Sequence, residues 1–250
     1  MKEMRSGPNA VAMSTTFPEL FDRFSAALLP AETPDATILR FRSIARAIRL
    51  DSHGHAEFDP KAEQLAFVCV GSAKLVARAS GGREQVVSFH FAGELACVPG
   101  GALHAYSIEA LTPCELLAFP VGEFLDLARS EPAILSEVCD RVMVALHRAS
   151  EKSVALGRKT AQERVCSFLV GMTERIGVRQ GNGFAMRLPM SRRDIADALG
   201  LTNETISRQF AELRMSGIIE TSGRSLVTVP DIGSLRDLGG YMQLPERNAA

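Results

Sequence analysis

Residues 191–213 read SRRDIADALGLTNETISRQFAEL, and this stretch determines how the rest of the chain is interpreted. Ser191 can cap a first helix, Gly200 ends it, and Thr202 can cap a second helix that runs from about Asn203 to Met215. Ala196 is small enough for two helices to cross closely. The apolar residues shared between the helices are Ile195, Leu199, Leu201, Ile206 and Phe210. The pattern predicts a helix-turn-helix.

Three polar side chains project from one face of the second helix. Glu204, Ser207 and Arg208 stand at i, i+3 and i+4 near its N-terminus, the end that enters a DNA major groove. Glutamate accepts from cytosine N4, arginine donates twice to guanine, and serine reaches a base edge or a phosphate. We therefore predict that these residues read bases, the alternative being an ordinary surface ion pair between Glu204 and Arg208. Predicted contacts to the DNA backbone are Ser191, Arg192, Thr202, Thr205 and Arg224.

The segments around the motif complete a DNA-binding domain over residues 158–232. Residues 160–176 are amphipathic with helical period, residues 184–188 form a short strand after a glycine-rich turn, and residues 217–229 are typical of the β-hairpin called a wing. Residues 158–229 contain 11 Lys and Arg against 7 Asp and Glu, which is a net charge of +4. Because the whole chain has a net charge of −1, the other residues together carry −5. This asymmetry favours an acidic sensor joined to a DNA reader.

The first half of the chain has a different period. Residues 1–17 lack periodicity and predict a disordered tail, and residues 17–29 predict a short helix. Short β-rich runs then follow one another between glycines and prolines, which predicts a small antiparallel roll or barrel within residues 18–130. The runs are 64–70, 72–79, 84–91, 105–111 and 114–119.

A long helix is predicted over residues 131–157, after a short one at 121–130. Its apolar positions recur in steps of three and four, as in a coiled-coil seam, so we predict that it pairs with its copy in a second subunit. The alternative is that the seam packs on the roll. The seam residues are Leu135, Val138, Val142, Ala145, Ala149, Lys152 and Leu156. Residues 233–250 are predicted to be a C-terminal tail.

Composition limits the class of protein. The 250 residues include five scattered cysteines with no CxxC spacing, which predicts reduced thiols and no zinc site. The first residues lack the apolar core of a signal peptide, and no apolar run is long enough to span a bilayer, so we expect a cytoplasmic protein without a membrane partner. No nucleophile, base and orienting group recur at motif spacing, and no phosphate loop is present, so we predict that it is not an enzyme.

The chain resembles the Crp/Fnr family, and within it the Fnr and FixK branch. The residues that carry the resemblance are 159–165, 188–208 and 216–219, with further similarity at 82–95 and 112–116, so that it covers roughly residues 20 to 232. The resemblance implies an α+β fold: a cyclic-nucleotide-binding-like β-roll, a long dimerisation helix and a C-terminal winged helix-turn-helix. It also implies that Glu204, Ser207 and Arg208 read a TTGAT-type half-site in an inverted repeat.

Departures from the family pattern limit the ligands. Where cAMP-binding members hold the phosphate with an Arg-Ser pair, this chain has His104 and Ala105, although Glu94 matches the ribose contact. A neutral histidine is a poor substitute for a guanidinium, so we reject cyclic nucleotide. Residues 1–68 contain no cysteine, which excludes the Fnr iron–sulfur cluster in its usual form. Haem would need ligands among His53, His55, His90 and His104, which are more typical of surface or packed histidines, so no cofactor or metal is predicted.

Two further assignments remain hypotheses. Arg83 and Glu84 match a roll loop that touches RNA polymerase in activating relatives, the alternative being a solvated turn. Cys166 is a candidate redox switch, the alternative being a small buried apolar residue. The leading interpretation is a homodimeric transcription activator of the Fnr/FixK type that controls oxygen- or redox-related genes. The competing one is a ligand-sensing module that uses its C-terminal helices to dock a protein partner and gives no DNA-dependent signal.

Overall fold

The computed structural model describes residues 15–241 and has the predicted α+β architecture. Two helices come first, α1 (Phe17–Leu28) and α2 (Asp35–Ile44). Eight strands follow: β1 (Arg46–Leu50), β2 (His55–Glu57), β3 (Gln64–Val70), β4 (Ser72–Arg78), β5 (Glu84–Phe91), β6 (Leu95–Val98), β7 (Ala105–Ala110) and β8 (Cys114–Pro120). They form two antiparallel four-stranded sheets, in the orders β1-β8-β3-β6 and β2-β7-β4-β5, and together these make the β-roll.

Strand β3 shows why the roll takes this form. Its successive side chains point to opposite faces, and both faces are covered. Leu65, Phe67 and Cys69 pack outward against helices, whereas Ala66 and Val68 pack between the two sheets. A strand buried on both sides becomes an unbroken apolar run, which is what residues 65–70 are in the sequence.

Helices cover the outer face of the first sheet. They are α1, α2, α3 (Val121–Arg129) and the first part of α4 (Pro132–Arg158), which is 27 residues long. An aromatic cluster holds them to the sheet, with the fully buried ring of Phe24 at its centre, 4.6 Å from Phe119 and 5.6 Å from Phe67 between ring centroids. Ile134 and Val138 of α4 belong to the same core.

The C-terminal part contains four helices and a third sheet. The elements are α5 (Ala161–Ile176), β9 (Val178–Gln180), β10 (Gly183–Arg187), α6 (Arg192–Leu199), α7 (Asn203–Met215), β11 (Glu220–Ser222), β12 (Leu226–Val229) and α8 (Ile232–Leu238). The sheet order is β11-β12-β10-β9, with the β11–β12 hairpin as the wing. The helix-turn-helix of α6 and α7 and its wing were predicted from the sequence and are confirmed.

Some expectations differ from the structure. Helix α2 and strands β1, β2, β6 and β9 were not predicted, and α4 ends at Arg158, one residue beyond the predicted end at residue 157. Residues 232–238 form α8 with Leu235 fully buried in the DNA-binding domain, so the prediction of a tail from residue 233 was wrong at its start. Apart from residues 15–17, the predicted N-terminal tail lies outside the described residues. Between residues 15 and 241 no helix is long and apolar enough to cross a membrane.

Candidate nucleic-acid interface

Local hydrogen bonds fix the two helices of the motif. The Ser191 hydroxyl accepts from the backbone N–H of Asp194, and the Asp194 carboxylate accepts from the Ser191 N–H at 2.8 Å, which is a capping box at the start of α6. Gly200 ends α6 in the left-handed conformation at φ 62°, which favours glycine. The Thr202 hydroxyl accepts from the Thr205 N–H at 3.1 Å and caps α7. The turn and both caps follow from the sequence.

The three predicted base readers are all exposed on α7. Glu204, Ser207 and Arg208 lie in the first turns of the helix, and 64% of the Arg208 side chain is accessible. The alternative ion pair between Glu204 and Arg208 is not among the salt bridges of the described residues. Arg208 instead approaches Glu212 one turn later, with 3.9 Å between Nε and Oε1. A contact this long on a solvated surface leaves the guanidinium free to rotate onto a base.

Four of the predicted DNA contacts line one cleft of about 580 Å³. They are Ser191, Arg192, Ser207 and Arg224 at the tip of the wing. The guanidinium carbon of Arg192 lies 3.3 Å from the centroid of the Phe210 ring. Burial lowers the pKa of Arg192 to about 10, so the guanidinium stays charged at neutral pH. Arg192 is therefore held in place by stacking on Phe210.

The cleft also contains residues that the sequence analysis missed. Arg214 lies two turns after Ser207 on the same side of α7, so helical spacing alone could have identified it. His53 reaches the cleft from the β1–β2 turn of the roll, and no local signal in the sequence indicates this position. The cleft is thus lined by both domains.

The predicted dimer seam divides into two sets in the structure. Val138 lies in the roll core at 4% exposure, Lys152 donates to the carbonyl oxygens of Val86 and Val87, and Leu156 lies beside Gly200. These three positions contact their own protomer, although 37% of Leu156 is still exposed. Ala145 and Ala149 are exposed, as is Val142, and Leu135 is half-buried.

Another apolar stripe on α4 is uncovered. Of the eleven large apolar side chains that are exposed in the described residues, six lie on α4, which identifies this helix as the main exposed apolar surface. Val142, Met143 and Leu146 are 52%, 62% and 57% exposed, and Cys139 is also exposed beside Val142. With Leu135, which is half-buried against the roll core, these residues follow steps of three and four along one face of the helix. We call Leu135, Cys139, Val142, Met143 and Leu146 the α4 stripe.

Cys166 and the Arg83–Glu84 turn have ordinary surroundings. Cys166 is fully buried, and burial raises the pKa of its thiol to about 11, so the small buried apolar residue is the alternative that the structure supports. Arg83 and Glu84 are exposed at the tip of the β4–β5 hairpin, where Glu84 accepts from Arg78 at 2.9 Å.

The roll does not fit a cyclic nucleotide. Both oxygens of Glu94, the position of the ribose contact, are already bound by the Arg175 guanidinium at 2.6 and 3.1 Å, and Arg148 approaches at 3.2 Å. His104 and Ala105 are exposed and supply no guanidinium for a phosphate. Glu94 therefore binds side chains of this chain.

His90, next to this carboxylate, makes the stability of the fold depend on pH. Burial lowers its pKa from 6.5 to about 4, with Glu94 opposing the shift and Arg175 and Arg148 adding to it. The unfolded chain therefore binds a proton below pH 6.5 that the folded chain does not, and stability falls as the pH falls from 6.5 towards 4. Urea unfolding should show a loss of about 2 kcal/mol between pH 7 and pH 5.

The variant His90→Gln, which can keep the hydrogen bond to Ser88, should lose most of this slope. His147→Gln, on the exposed surface of α4, is the control and should keep it. An unchanged slope in His90→Gln would show that another group causes the acid loss.

Comparison with known proteins agrees with this geometry. Residues 163–238 match the sequence model of the Crp-like helix-turn-helix domain, and residues 56–131 match that of the cyclic nucleotide-binding domain. The nitrogen fixation regulation proteins FixK of Rhizobium meliloti and Bradyrhizobium diazoefficiens are 35% and 34% identical, over 68% and 74% of this chain and 76% and 79% of their own lengths. The structure of FixK2 from Bradyrhizobium japonicum matches with a TM-score of 0.69 at 28% identity, over 80% of this chain and 99% of that one.

A β-roll joined by a long helix to a winged helix-turn-helix, together with relatives that are transcription regulators, defines a DNA-binding transcription regulator and not an enzyme. The chain belongs to the Crp/Fnr family, and its similarity to FixK proteins places it in the Fnr/FixK branch.

Proposed function

We propose that the protein is a cytoplasmic, homodimeric transcription activator that binds an inverted repeat of TTGAT-type half-sites and controls oxygen- or redox-related genes. The observation that carries this proposal is the joint exposure of Glu204, Ser207 and Arg208 on one face of α7. Names of relatives also support it, because FixK proteins are regulators of nitrogen fixation and FnrL of Cereibacter sphaeroides, 32% identical over 72% of this chain, is a transcriptional activator.

The DNA backbone contacts divide into caps and cations. Ser191, Thr202 and Thr205 lie at the starts of α6 and α7, where free backbone N–H groups and the helix dipole favour a phosphate. Arg192 and Arg224 face the same cleft from α6 and the wing. In this arrangement the phosphate contacts at the caps fix the position and orientation of the two helices on the duplex, and the base readers supply the sequence preference.

The dimer is proposed to form along the α4 stripe. A 27-residue helix that exposes aliphatic side chains at steps of three and four needs a partner surface of the same period. A second copy supplies that surface by two-fold symmetry, which places two DNA-binding domains, called the reading heads below, on one duplex. The inverted repeat, with half-site centres about one helical turn apart, follows from the same symmetry.

Activation is proposed to use the β4–β5 hairpin tip. Arg83 and Glu84 lie in an exposed turn and are not among the residues that line the cleft. A surface that remains accessible on DNA is what contact with RNA polymerase requires.

Arg208 tests the reading assignment. Arg208→Ala should cost about 1–3 kcal/mol of discrimination at the guanine of the half-site, because the bidentate contact to O6 and N7 is lost. The measurement is equilibrium binding at fixed salt to the TTGAT repeat and to a repeat with that base pair substituted.

Arg179→Ala is the matched control. It removes the same charge from exposed strand β9, at the sheet edge opposite the wing. It should lower affinity for both repeats equally and leave discrimination intact. If Arg208→Ala discriminates as well as the unmodified protein, Arg208 does not read the guanine; absence of any DNA-dependent signal would favour the protein-docking module instead.

A further inference from the structure

The DNA-binding domain docks on the roll of its own protomer. The apolar core of that domain includes Val86, Phe89 and Phe91 of β5 and Leu111 after β7. The ring of Phe89 meets Phe168 of α5 edge-on at 6.0 Å between centroids. The two domains therefore share a continuous core instead of being joined only by the linker between α4 and α5.

A charged cluster ties the start of α6 to the roll. The ammonium group of Lys74 on β4 lies 2.8 Å from the Asp194 carboxylate and 2.9 Å from that of Glu109 on β7. All three side chains are at most 22% exposed. Asp194 is also the carboxylate that closes the capping box with Ser191, a proposed DNA contact. Lys74 of the roll is therefore linked to Ser191, at the start of α6, through the carboxylate of Asp194.

A second cluster ties α4 and α5 to the turn between β5 and β6. The Arg175 guanidinium of α5 binds both oxygens of Glu94, donates to the Phe89 carbonyl at 2.6 Å, and stacks on Phe91 at 4.6 Å. Arg148 of α4 shares the same carboxylate. Glu94 therefore connects the roll, the long helix and the DNA-binding domain at one point.

The reading face is exposed while both clusters are closed. Glu204, Ser207 and Arg208 stay accessible in the docked orientation. If α4 places two protomers about a two-fold axis, fixing each head to its roll also fixes the distance between the heads. A head whose orientation is set before binding loses less freedom when it engages DNA.

We infer that Lys74 with Asp194, and Glu94 with Arg175 and Arg148, form an interdomain clasp that holds each reading head at the spacing of the two half-sites. Lys74 and Arg175 are positioning residues, which act on DNA through the orientation of the head. The inference rests on the proposed function for its DNA readout, whereas the clasp itself can be tested without DNA.

The test variant is Lys74→Met/Arg175→Met, which removes one cation from each cluster. Its matched control is Arg78→Met/Arg236→Met. Arg78 pairs with Glu84 within the roll, and Arg236 pairs with Glu174 within the DNA-binding domain, so the control removes the same charge from pairs that do not join the domains.

The first measurement is trypsin cleavage of the DNA-free protein after Arg158 and Lys159, in the linker between α4 and α5. The clasp variant should be cut there on the order of tenfold faster than the unmodified protein, and the control variant at the unmodified rate. Equal rates in all three proteins would overturn the clasp, whatever the protein does with DNA.

The second measurement is affinity for inverted repeats whose central spacer is lengthened or shortened by one or two base pairs. The unmodified protein and the control should prefer one spacing strongly. The clasp variant should lose on the order of tenfold at that spacing and bind the altered repeats almost equally well. An unmodified spacing preference in the clasp variant would overturn the inference, and no specific binding by the unmodified protein would instead overturn the proposed function.

Discussion

Leu146→Glu is expected to convert the proposed dimer to a monomer and to weaken binding to the inverted repeat by roughly 100-fold or more. Leu146 is 57% exposed and lies within the α4 stripe beside Val142 and Met143. Near the two-fold axis each protomer would bring a glutamate into an apolar seam facing its symmetry copy, where like charges repel and neither has a cation partner. The second half-site would then no longer be bound intramolecularly. Light scattering reports the mass, and operator titration at fixed salt reports the affinity.

Val144→Glu provides the control on the same helix. Val144 is 48% exposed and lies two residues before Leu146, which places it on the other side of α4. The same charge is introduced, so the variant should stay dimeric and bind the repeat as the unmodified protein does. A dimeric Leu146→Glu, or a monomeric Val144→Glu, would show that the subunits pair through a different surface.

The helix-turn-helix could be predicted because its determinants are local. The caps Ser191 and Thr202 and the left-handed turn at Gly200 act within a few residues of their own positions. Strands β1 and β2 were missed for the opposite reason. Strand β1 has the sequence RAIRL and is only partly buried, so its place in the sheet comes from pairing with β8, about 70 residues further along the chain.

The register of the dimer seam shows what periodicity leaves undetermined. The first turns of α4 pack on their own protomer, through Ile134 and Val138, whereas the following turns of the same face are exposed, through Val142 and Leu146. The apolar steps of three and four run through both parts, so the predicted seam combined buried and exposed positions. Only the position of the roll decides where the buried part ends, and that position depends on contacts distant in sequence.

The clasp had no sequence signal for the same reason. Lys74 and Asp194 are 120 residues apart, and Glu94 and Arg175 are 81 apart. Each is an ordinary charged residue in its own segment. Glu94 matches a family position for ligand binding, but in the folded chain Arg148 and Arg175 bind its carboxylate.

Phe24→Ala should lower the free energy of unfolding by about 3–5 kcal/mol. The Phe24 ring is fully buried and lies within 6.3 Å, between ring centroids, of Phe41, Phe67, Phe119 and Phe124. Truncation removes a large apolar surface, and the cavity cannot close easily because these four rings come from two strands and two other helices. Urea unfolding at one fixed protomer concentration measures the change, since dimerisation contributes to apparent stability.

Phe17→Ala is the control, because it shows how much stability is lost when a phenylalanine of the same helix is removed without leaving a buried cavity. Phe17 begins the same helix but is half-buried and touches only the edge of the cluster, through Phe21 at 6.4 Å. Its removal should cost clearly less. Because Ile134 and Val138 of α4 pack in the core that Phe24 centres, Phe24→Ala should also loosen the N-terminal half of the long helix. Equal losses in the two variants would mean that the buried ring of Phe24 contributes no more to stability than the half-buried ring of Phe17.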